Sequence, residues 1–437
     1  MARYAYDRGS FSFTSHKMQR LQTLQQMPVV AGESLQMDCG IVVRLAPLTR
    51  GLALDAKIDI ATFFVPMRHV YSNWEDFIQE GADETQTLAA VTIGGSVSHE
   101  PHYLGVKATY GTMLPLWAVA GYAKIWNRYY KHIASADKPE DNLIYSDSAA
   151  PNNNTKDELR YGLQVTFLPD LISMTATDNV DAADYQQAIV SDKLDIRALM
   201  QQKARLKTEL RRSYIARRYS EQMQATWGTE IGPETDERPH IIMHTSEWLS
   251  GTDVYGTADA NLAEIGGLSQ GIIRHGFPRR LFPEHGVLWT MGTVRFPVIR
   301  EQQVHYLHTQ PNPSYKQLAG DPDIIAAEPP HSLNRNECFI EPTAGRPSVD
   351  LGKTPYGQWY RMHPSYVHDS YDNINGFPFI SSLPSNQDDA RYGSWTEWDD
   401  VFKSQSLGHA QMHAHINVMS SSPIPPSSSS IFVGAKG

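Results

Sequence analysis

Cysteine is nearly missing from this chain: only Cys39 and Cys338 occur in 437 residues, far apart in sequence. No disulfide framework is expected from such a pair, and the composition suits a reducing cytoplasm. Long apolar runs are missing too. No stretch reaches the roughly 18 consecutive apolar residues that a membrane-spanning helix needs. The opening MARYAYDRGSFSF carries no apolar core of a secretion signal. An excess of positive charge is the third absence. The formal net charge is −10, with an isoelectric point near 5.9. Bulk neutralisation of nucleic acid requires surplus Lys and Arg, so the chain as a whole is not built for that task.

Catalytic signatures are also lacking. There is no Gly-x-Ser-x-Gly elbow and no Gly-x-x-x-x-Gly-Lys-Ser/Thr phosphate loop. Pro283-Glu284-His285-Gly286 places an acid beside an imidazole, but neighbours in sequence diverge in direction, so the pair is not read as a dyad. His413-Ala414-His415 has the His-x-His spacing by which cupins put two imidazoles on one strand face as metal ligands. The Glu expected three or four residues on is absent, since Met419 and Ser420 follow, and the pair reads better as outward-facing histidines at an interface. Asp369 to Gly376 ends like a calcium loop at Asn373-x-Asn375-Gly376, yet Tyr371 and Ser382 stand where acidic ligands belong. Asp253, Asp259, Asn261 and Glu264 form an equally unspecific oxygen cluster. A structural cation is therefore unsupported. No metal, no cofactor and no active site are expected.

What the chain does have is alternation. Gln36 to Leu45, Ile58 to Val65, Val287 to Phe296 and Gln411 to Met419 read as strands, and they come from both ends of the sequence. In Ile58 to Val65, Ile58, Ile60, Thr62 and Phe64 share one face, and Asp59, Ala61, Phe63 and Val65 share the other. Two antiparallel sheets built from both halves make a single domain over residues 28–419, with very large insertions between strands. Residues 1–27 read as an N-terminal arm, with Arg3, Arg8, Lys17 and Arg20 against the lone acid Asp7. It is either a flexible terminus or an inward-facing arm. Residues 420–437 form a Ser/Pro-rich tail that cannot build a core. Within the insertions, Trp74 to Glu80 reads as a short helix capped by Asn73, and Leu116 to His132 as a packed helix. Leu194 to Tyr219 is the longest helical pattern, with Ile196, Leu199, Leu206, Leu210 and Tyr214 on one face. Lys193, Arg197, Lys207, Arg211 and Arg218 lie on the neighbouring face, either simply solvated or in contact with DNA or an acidic partner. From Arg238 to Pro330 the pattern is β-like, broken at Gly266-Gly267, Asp321-Pro322 and Pro329-Pro330.

A series of short blocks gives this pattern a family. Gly32-Glu33-Ser34, Arg44-Leu45-x-Pro47, Arg50-Gly51-Leu52-Ala53 and Phe63-Phe64-Val65-Pro66-x-Arg68-His69-Val70-Tyr71 open the series. Arg160-Tyr161-Gly162, Leu249-Ser250-Gly251-x-Asp253-Val254-x-Gly256-Thr257, Phe282-Pro283-Glu284-His285-Gly286 and Val294-Arg295-Phe296-Pro297 follow. Ala319-Gly320-Asp321-Pro322, Gly357-Gln358-Trp359-Tyr360-Arg361, Pro364-Ser365-Tyr366 and Gly376-Phe377-Pro378-Phe379 complete it. Each block is a short turn or strand end, but their order and spacing from about Pro28 to Val418 are specific. The chain resembles the major capsid proteins of the Microviridae, small icosahedral single-stranded DNA phages, and more closely the branch with a separate spike protein.

The resemblance implies a mainly β fold, a viral jelly roll whose long inter-strand insertions contain helices. It implies a structural role without enzymatic activity: self-assembly of on the order of 60 copies into a T=1 shell around circular single-stranded DNA. The expected partners are further copies of the chain, the genome, a small basic DNA-condensing protein, and separate spike, pilot and scaffolding proteins, with no membrane. The expected location is the virion, with assembly in the host cytoplasm. Because the chain is acidic, genome contact is expected at local basic groups, with Arg3, Arg8, Lys17, Arg20, Lys203, Lys207, Arg211 and Arg218 as candidates. Pairing with carboxylates of neighbouring subunits is the rival role for those charges. The alternative for the whole chain is a jelly-roll carbohydrate-binding or metal-dependent, cupin-like protein, which would form a small oligomer rather than a shell.

Overall fold

The computed structural model describes residues 3–48, 55–71, 73–80, 88, 90–92, 102–106, 112–130, 224, 228–229, 239–255, 265–296, 299–300, 304–328, 331–339, 350–354, 356–361, 363–364, 380–381, 402 and 408–424. Before the first long insertion come β1 (Tyr4–Asp7), β2 (Ser10–His16), β3 (Gln22–Val29), β4 (Glu33–Leu45) and β5 (Lys57–Pro66). Within that insertion lie helix α1 (Trp74–Glu80), the short strands β6 (Ala90–Thr92) and β7 (Met113–Pro115), and helix α2 (Trp117–Ile125). Then follow β8 (His240–Trp248), β9 (Ser250–Tyr255), β10 (Ile265–Phe282), β11 (Gly286–Arg295) and β12 (Ile299–Arg300). A second insertion contains helices α3 (Tyr315–Leu318), α4 (Pro322–Ala327) and α5 (Arg335–Cys338), with strands β13 (His331–Asn334), β14 (Asp350–Thr354) and β15 (Ile380–Ser381). The last strand, β16 (Ala410–Ser422), returns to the start of the chain.

Two antiparallel sheets make a sandwich. One runs β1-β16-β4-β10-β9, with β2 also pairing to β16; the other runs β3-β11-β5-β8. The mainly β, jelly-roll-like architecture with helical insertions thus stands. The burial of each strand follows from the number of layers around it. On β4 and β16 buried and exposed residues alternate, because the larger sheet packs on one side only. Leu35, Met37, Cys39, Ile41 and Val43 point inward from β4, and Met412, Ala414, Ile416 and Val418 from β16. On β5 and β11 nearly every residue is buried. Ile58, Ile60 and Phe64 face the sandwich core. Ala61, Phe63 and Val65 face a second cluster, built with Val287, Trp289 and Met291 of β11 and with Val119, Tyr122 and Ala123 of α2. The smaller sheet therefore carries a helical cover on its outer side.

The cover fits closely. A Cβ placed on Gly121 of α2 would lie 2.8 Å from Nε1 of Trp289. The Tyr122 hydroxyl donates to the Leu21 carbonyl at 2.8 Å, anchoring the helix to the segment before β3. After Ile125 the helix widens into a π-turn over Trp126–Tyr130, and Phe63 of β5 packs against Tyr129 with ring centroids 4.9 Å apart.

One polar thread crosses the sandwich. His275 of β10 is buried, and its Nε2 and Nδ1 lie 2.8 Å from the hydroxyls of Thr62 and Thr245 on the opposite sheet. Thr62 in turn meets Thr290 at 3.2 Å. Satisfying both ring nitrogens lets a neutral imidazole sit in an apolar interior. Burial, helped by the nearby His244, pushes the His275 pKa down from 6.5 to about 4.

Several expectations change here. Residues 4–29, read as an arm ending at 27, supply β1, β2 and β3 to the two sheets. Their strand character comes from ladders with β16 and β11, more than 250 residues away. The last strand also extends three residues into the stretch read as tail. Residues 304–328, read as β-like, are instead short helical turns. Asp321, read as part of a turn, caps α4: its carboxylate accepts from the Asp323 amide at 3.0 Å, with Pro322 at the first helical position. The long helix expected over 194–219 lies outside the described residues.

Two outcomes test this packing. Gly121→Ala should destabilise the fold by about 1–3 kcal/mol, since the added methyl meets Trp289 in a filled interior; thermal unfolding would register it, and an unchanged midpoint would contradict the tight fit. The second concerns pH. His275 and His285 are depressed to about 4 and His69 to about 3, so the unfolded chain takes up protons first as pH falls. Their stability contribution is complete above about pH 6.5 and declines as pH drops toward 4, with a full-size effect of about 3 kcal/mol for His275. His275→Gln should flatten the pH dependence of the unfolding midpoint across that window.

Candidate functional site

The eight basic residues expected to meet a genome divide into four groups. Lys203, Lys207, Arg211 and Arg218 lie outside the described residues. Lys17 and Arg20 sit in the link between β2 and β3 and are 9% and 3% exposed. That link crosses from one sheet to the other, held by the Gln19 amide on the Val294 carbonyl at 2.8 Å and the Met18 amide on His409 Nδ1 at 3.2 Å. The crossing turns both cations into the molecule, so neither is placed to reach a phosphate. Arg3 is exposed.

Arg8 is engaged within the chain. Its guanidinium meets the Glu33 carboxylate at 3.1 Å and donates to the Pro28 carbonyl at 2.8 Å. Glu33 is 2% exposed. It also accepts from the Val30 amide at 3.0 Å and from the Ser420 hydroxyl. One buried carboxylate thereby ties the start of the chain, the turn before β4 and the end of β16. The turn uses Gly32, at φ 76°, whose amide reaches the Phe282 carbonyl at 2.8 Å.

The adjacent Glu284 and His285 do not act as a pair. Glu284 is buried against Arg68, Oε2 to Nε at 2.8 Å. The His285 ring packs edge-on to Trp74 with centroids 5.6 Å apart, and burial holds its pKa down to about 4. Both cysteine thiols are pushed up to about 12, first by burial and then by neighbouring carboxylates, which leaves them poor nucleophiles at neutral pH.

His413 and His415 do share a strand face, but it is the outer face of the six-stranded sheet. His415 stacks on Phe11 of β2, centroids 4.5 Å apart and planes within 8°, and His413 meets Phe13 at 5.2 Å. Cross-strand register extends these contacts into two rows. Phe13, His413, Val42 and Ile272 lie side by side across four strands, and so do Phe11, His415, Gly40 and Arg274. A further row holds Ser15, Gln411, Arg44 and Gln270. Phe11, Phe13 and Ile272 are 70%, 72% and 74% exposed. The alternating phenylalanines of SFSFTSH were the sequence signal for this surface, hidden because that segment read as an arm.

A second aromatic group lies in the insertion after β12. Tyr306 stacks on Trp359 at 4.3 Å, and Glu337 accepts from the Asn334 amide at 2.7 Å and meets His331 Nε2 at 3.1 Å. His305 has its Nε2 2.7 Å from the Trp359 carbonyl, and its Nδ1 accepts from the Leu307 amide at 3.3 Å. With both nitrogens engaged, this imidazole organises the loop rather than offering a ligand. Among the described residues no group of three metal-ligating side chains converges, and no helix is long and apolar enough to cross a membrane.

The model of the "Capsid protein (F protein)" family matches residues 1–168 and 183–432. Capsid protein F of Enterobacteria phage phiK is 33% identical over 418 residues, covering 94% of this chain and 93% of that protein. The corresponding proteins of Escherichia phages alpha3 and G4 are each 32% identical over 418 residues, covering 94% and 95% of this chain and 93% and 94% of theirs. With a match that runs almost from end to end, the chain belongs to the capsid protein F family of the Microviridae and is a structural component of the virion.

Proposed function

We propose that this chain assembles into a T=1 icosahedral shell of about 60 copies enclosing circular single-stranded DNA. The observation that carries this reading is the family match along nearly the whole chain, joined to a rigid sandwich whose insertions supply surfaces for unlike contacts. Such heterologous contacts generate closed shells when their rotations satisfy a point group. The formal charge of −10 leaves packaging in need of added cations, which favours a small basic DNA-condensing protein as partner. Separate spike, pilot and scaffolding proteins complete the set, with assembly in the host cytoplasm. The shell itself performs no chemistry.

Purified particles should be uniform in negative stain, with a mass near 3 MDa contributed by about 60 copies of a 49.0 kDa chain. Material that remains a small oligomer would exclude the shell and favour the carbohydrate-binding or cupin-like alternative. Arg3 is retained as an exposed genome-contact candidate, together with Lys203, Lys207, Arg211 and Arg218. Arg8 is reassigned to the fold. Arg3→Glu should leave shells intact and lower their DNA content. Arg8→Glu should prevent particles from forming, because a second carboxylate would then face the buried Glu33 in place of its cation. Equal effects of the two substitutions on particle yield would refute this division of roles.

A further inference from the structure

We propose that the bare face of the six-stranded sheet is a base-stacking platform for single-stranded nucleic acid, anchored by Phe11 with His415 and Phe13 with His413 and flanked by Arg274 and Arg44. The proposal rests on the reading of the chain as a shell around single-stranded DNA, and adds where and how the strand is held.

The two sheets are finished differently. The outer side of the four-stranded sheet is sealed by α1, α2 and their neighbours. On the six-stranded sheet the outward residues of β2, β16, β4 and β10 remain uncovered among the described residues, although Phe11, Phe13, Leu268, Ile272 and Met419 among them are large and apolar. Two phenylalanines and an isoleucine exposed together on one face mark an interaction surface.

The chemistry of the rows selects that partner. Rings standing side by side across strands offer flat faces, and among the described residues β2 pairs with β16 alone, so the Phe11–His415 stack ends in an exposed ring at the sheet edge. An unpaired base can extend such a stack, whereas a base inside a duplex presents no free face. Successive outward residues on a strand are about 7 Å apart, roughly one nucleotide step of an extended single strand, so Phe11 and Phe13 suit consecutive bases. Val42 and Ile272 continue the apolar floor beneath the strand. Exposed Arg274 lies in the Phe11 row and exposed Arg44 in the row beyond Phe13, placing guanidinium groups where phosphates would run. Two acids border this part of the face: Asp38, one row past Arg274 beside Asn417 and Gly276, and exposed Asp7, one row further opposite Met419.

Positive charge on an acidic chain is therefore concentrated beside exposed rings, the combination that holds single strands without reading them. Stacking accepts any base, which suits a shell that encloses a whole genome. Because affinity comes partly from ring contact, this site should depend less on salt than contacts made by lysine and arginine alone.

The test uses virions grown with 5-bromodeoxyuridine in their DNA. Ultraviolet irradiation, digestion and mass spectrometry then locate nucleotide-bearing peptides. Adducts are expected within residues 10–16 and 410–417. They should fall about tenfold relative to adducts elsewhere in the double variant F11A/F13A, given the loss of two stacking partners. Filled particles whose adducts all lie elsewhere would overturn the platform while leaving the shell intact. So would F11A/F13A particles that keep their adducts at these peptides, or protein crosslinks showing another copy or another virion protein seated on this face. If the variant does not assemble, the adduct map of the unsubstituted particle decides alone. Absence of any DNA-filled particle would overturn the shell reading, and this one with it.

Discussion

The ladder between β5 and β11 is the constraint on which the rest of the structure depends. It joins Lys57–Pro66 to Gly286–Arg295 in an unbroken antiparallel register. Each strand is buried on both faces, so a single pairing organises the sandwich core on one side and the helical cover on the other. Closing a loop of more than 200 residues is entropically unfavourable, but the cost grows only slowly with length. That weak dependence allows the insertion between β5 and β8 to be so long. Once the ladder exists, β3 and β8 add at its edges, and the apolar faces presented to either side specify where the second sheet and α2 must go.

Polar groups then fix the alignment that apolar burial leaves loose. Glu33 gathers Arg8, Val30 and Ser420 at one corner. His275 bonds across the sandwich to Thr62 and Thr245. Asp59, on the covered face of β5, meets Arg295 at 2.8 Å at the far end of the ladder. Hydrophobic contact is non-directional, whereas a buried hydrogen bond is costly to leave unmade, so these sites penalise sliding of one sheet over the other. For a shell protein, a body that does not shear keeps its contact surfaces in the angular relation that closure requires.

The two outer faces of the sandwich divide the remaining work. Among the described residues, α1, α2 and their neighbours in the first insertion cover the four-stranded sheet. On the outer face of the six-stranded sheet, phenylalanine, histidine, isoleucine and arginine stand in rows set by register, uncovered among the described residues. The His-x-His of residues 413–415, suggestive of a metal site by spacing, is part of that surface, and each imidazole meets a phenylalanine ring.

Strands β4, β5, β11 and β16 were legible because burial on one face writes a period of two and burial on both writes a nearly continuous apolar run. Asn73 before α1 and the ordered blocks that mark the family were legible for equally local reasons. The strands of residues 4–29 were not, because YAYDRGSFSFTSH is polar and becomes β only by pairing with β16 at the other end of the chain. The helical turns of 314–338 did leave local signals that were passed over, in Ser314-x-x-Gln317 and Asp321-Pro322. Sequence alone thus determined the fold class, the family and the main core strands, since these depend on patterns within about ten residues. Tertiary structure decided that Arg8 is a tie, that Arg20 is buried, and that Phe11 and Phe13 stand on an open face. The role of a charge or a ring is set by what lies opposite it, and for these residues the opposite strand comes from far along the chain.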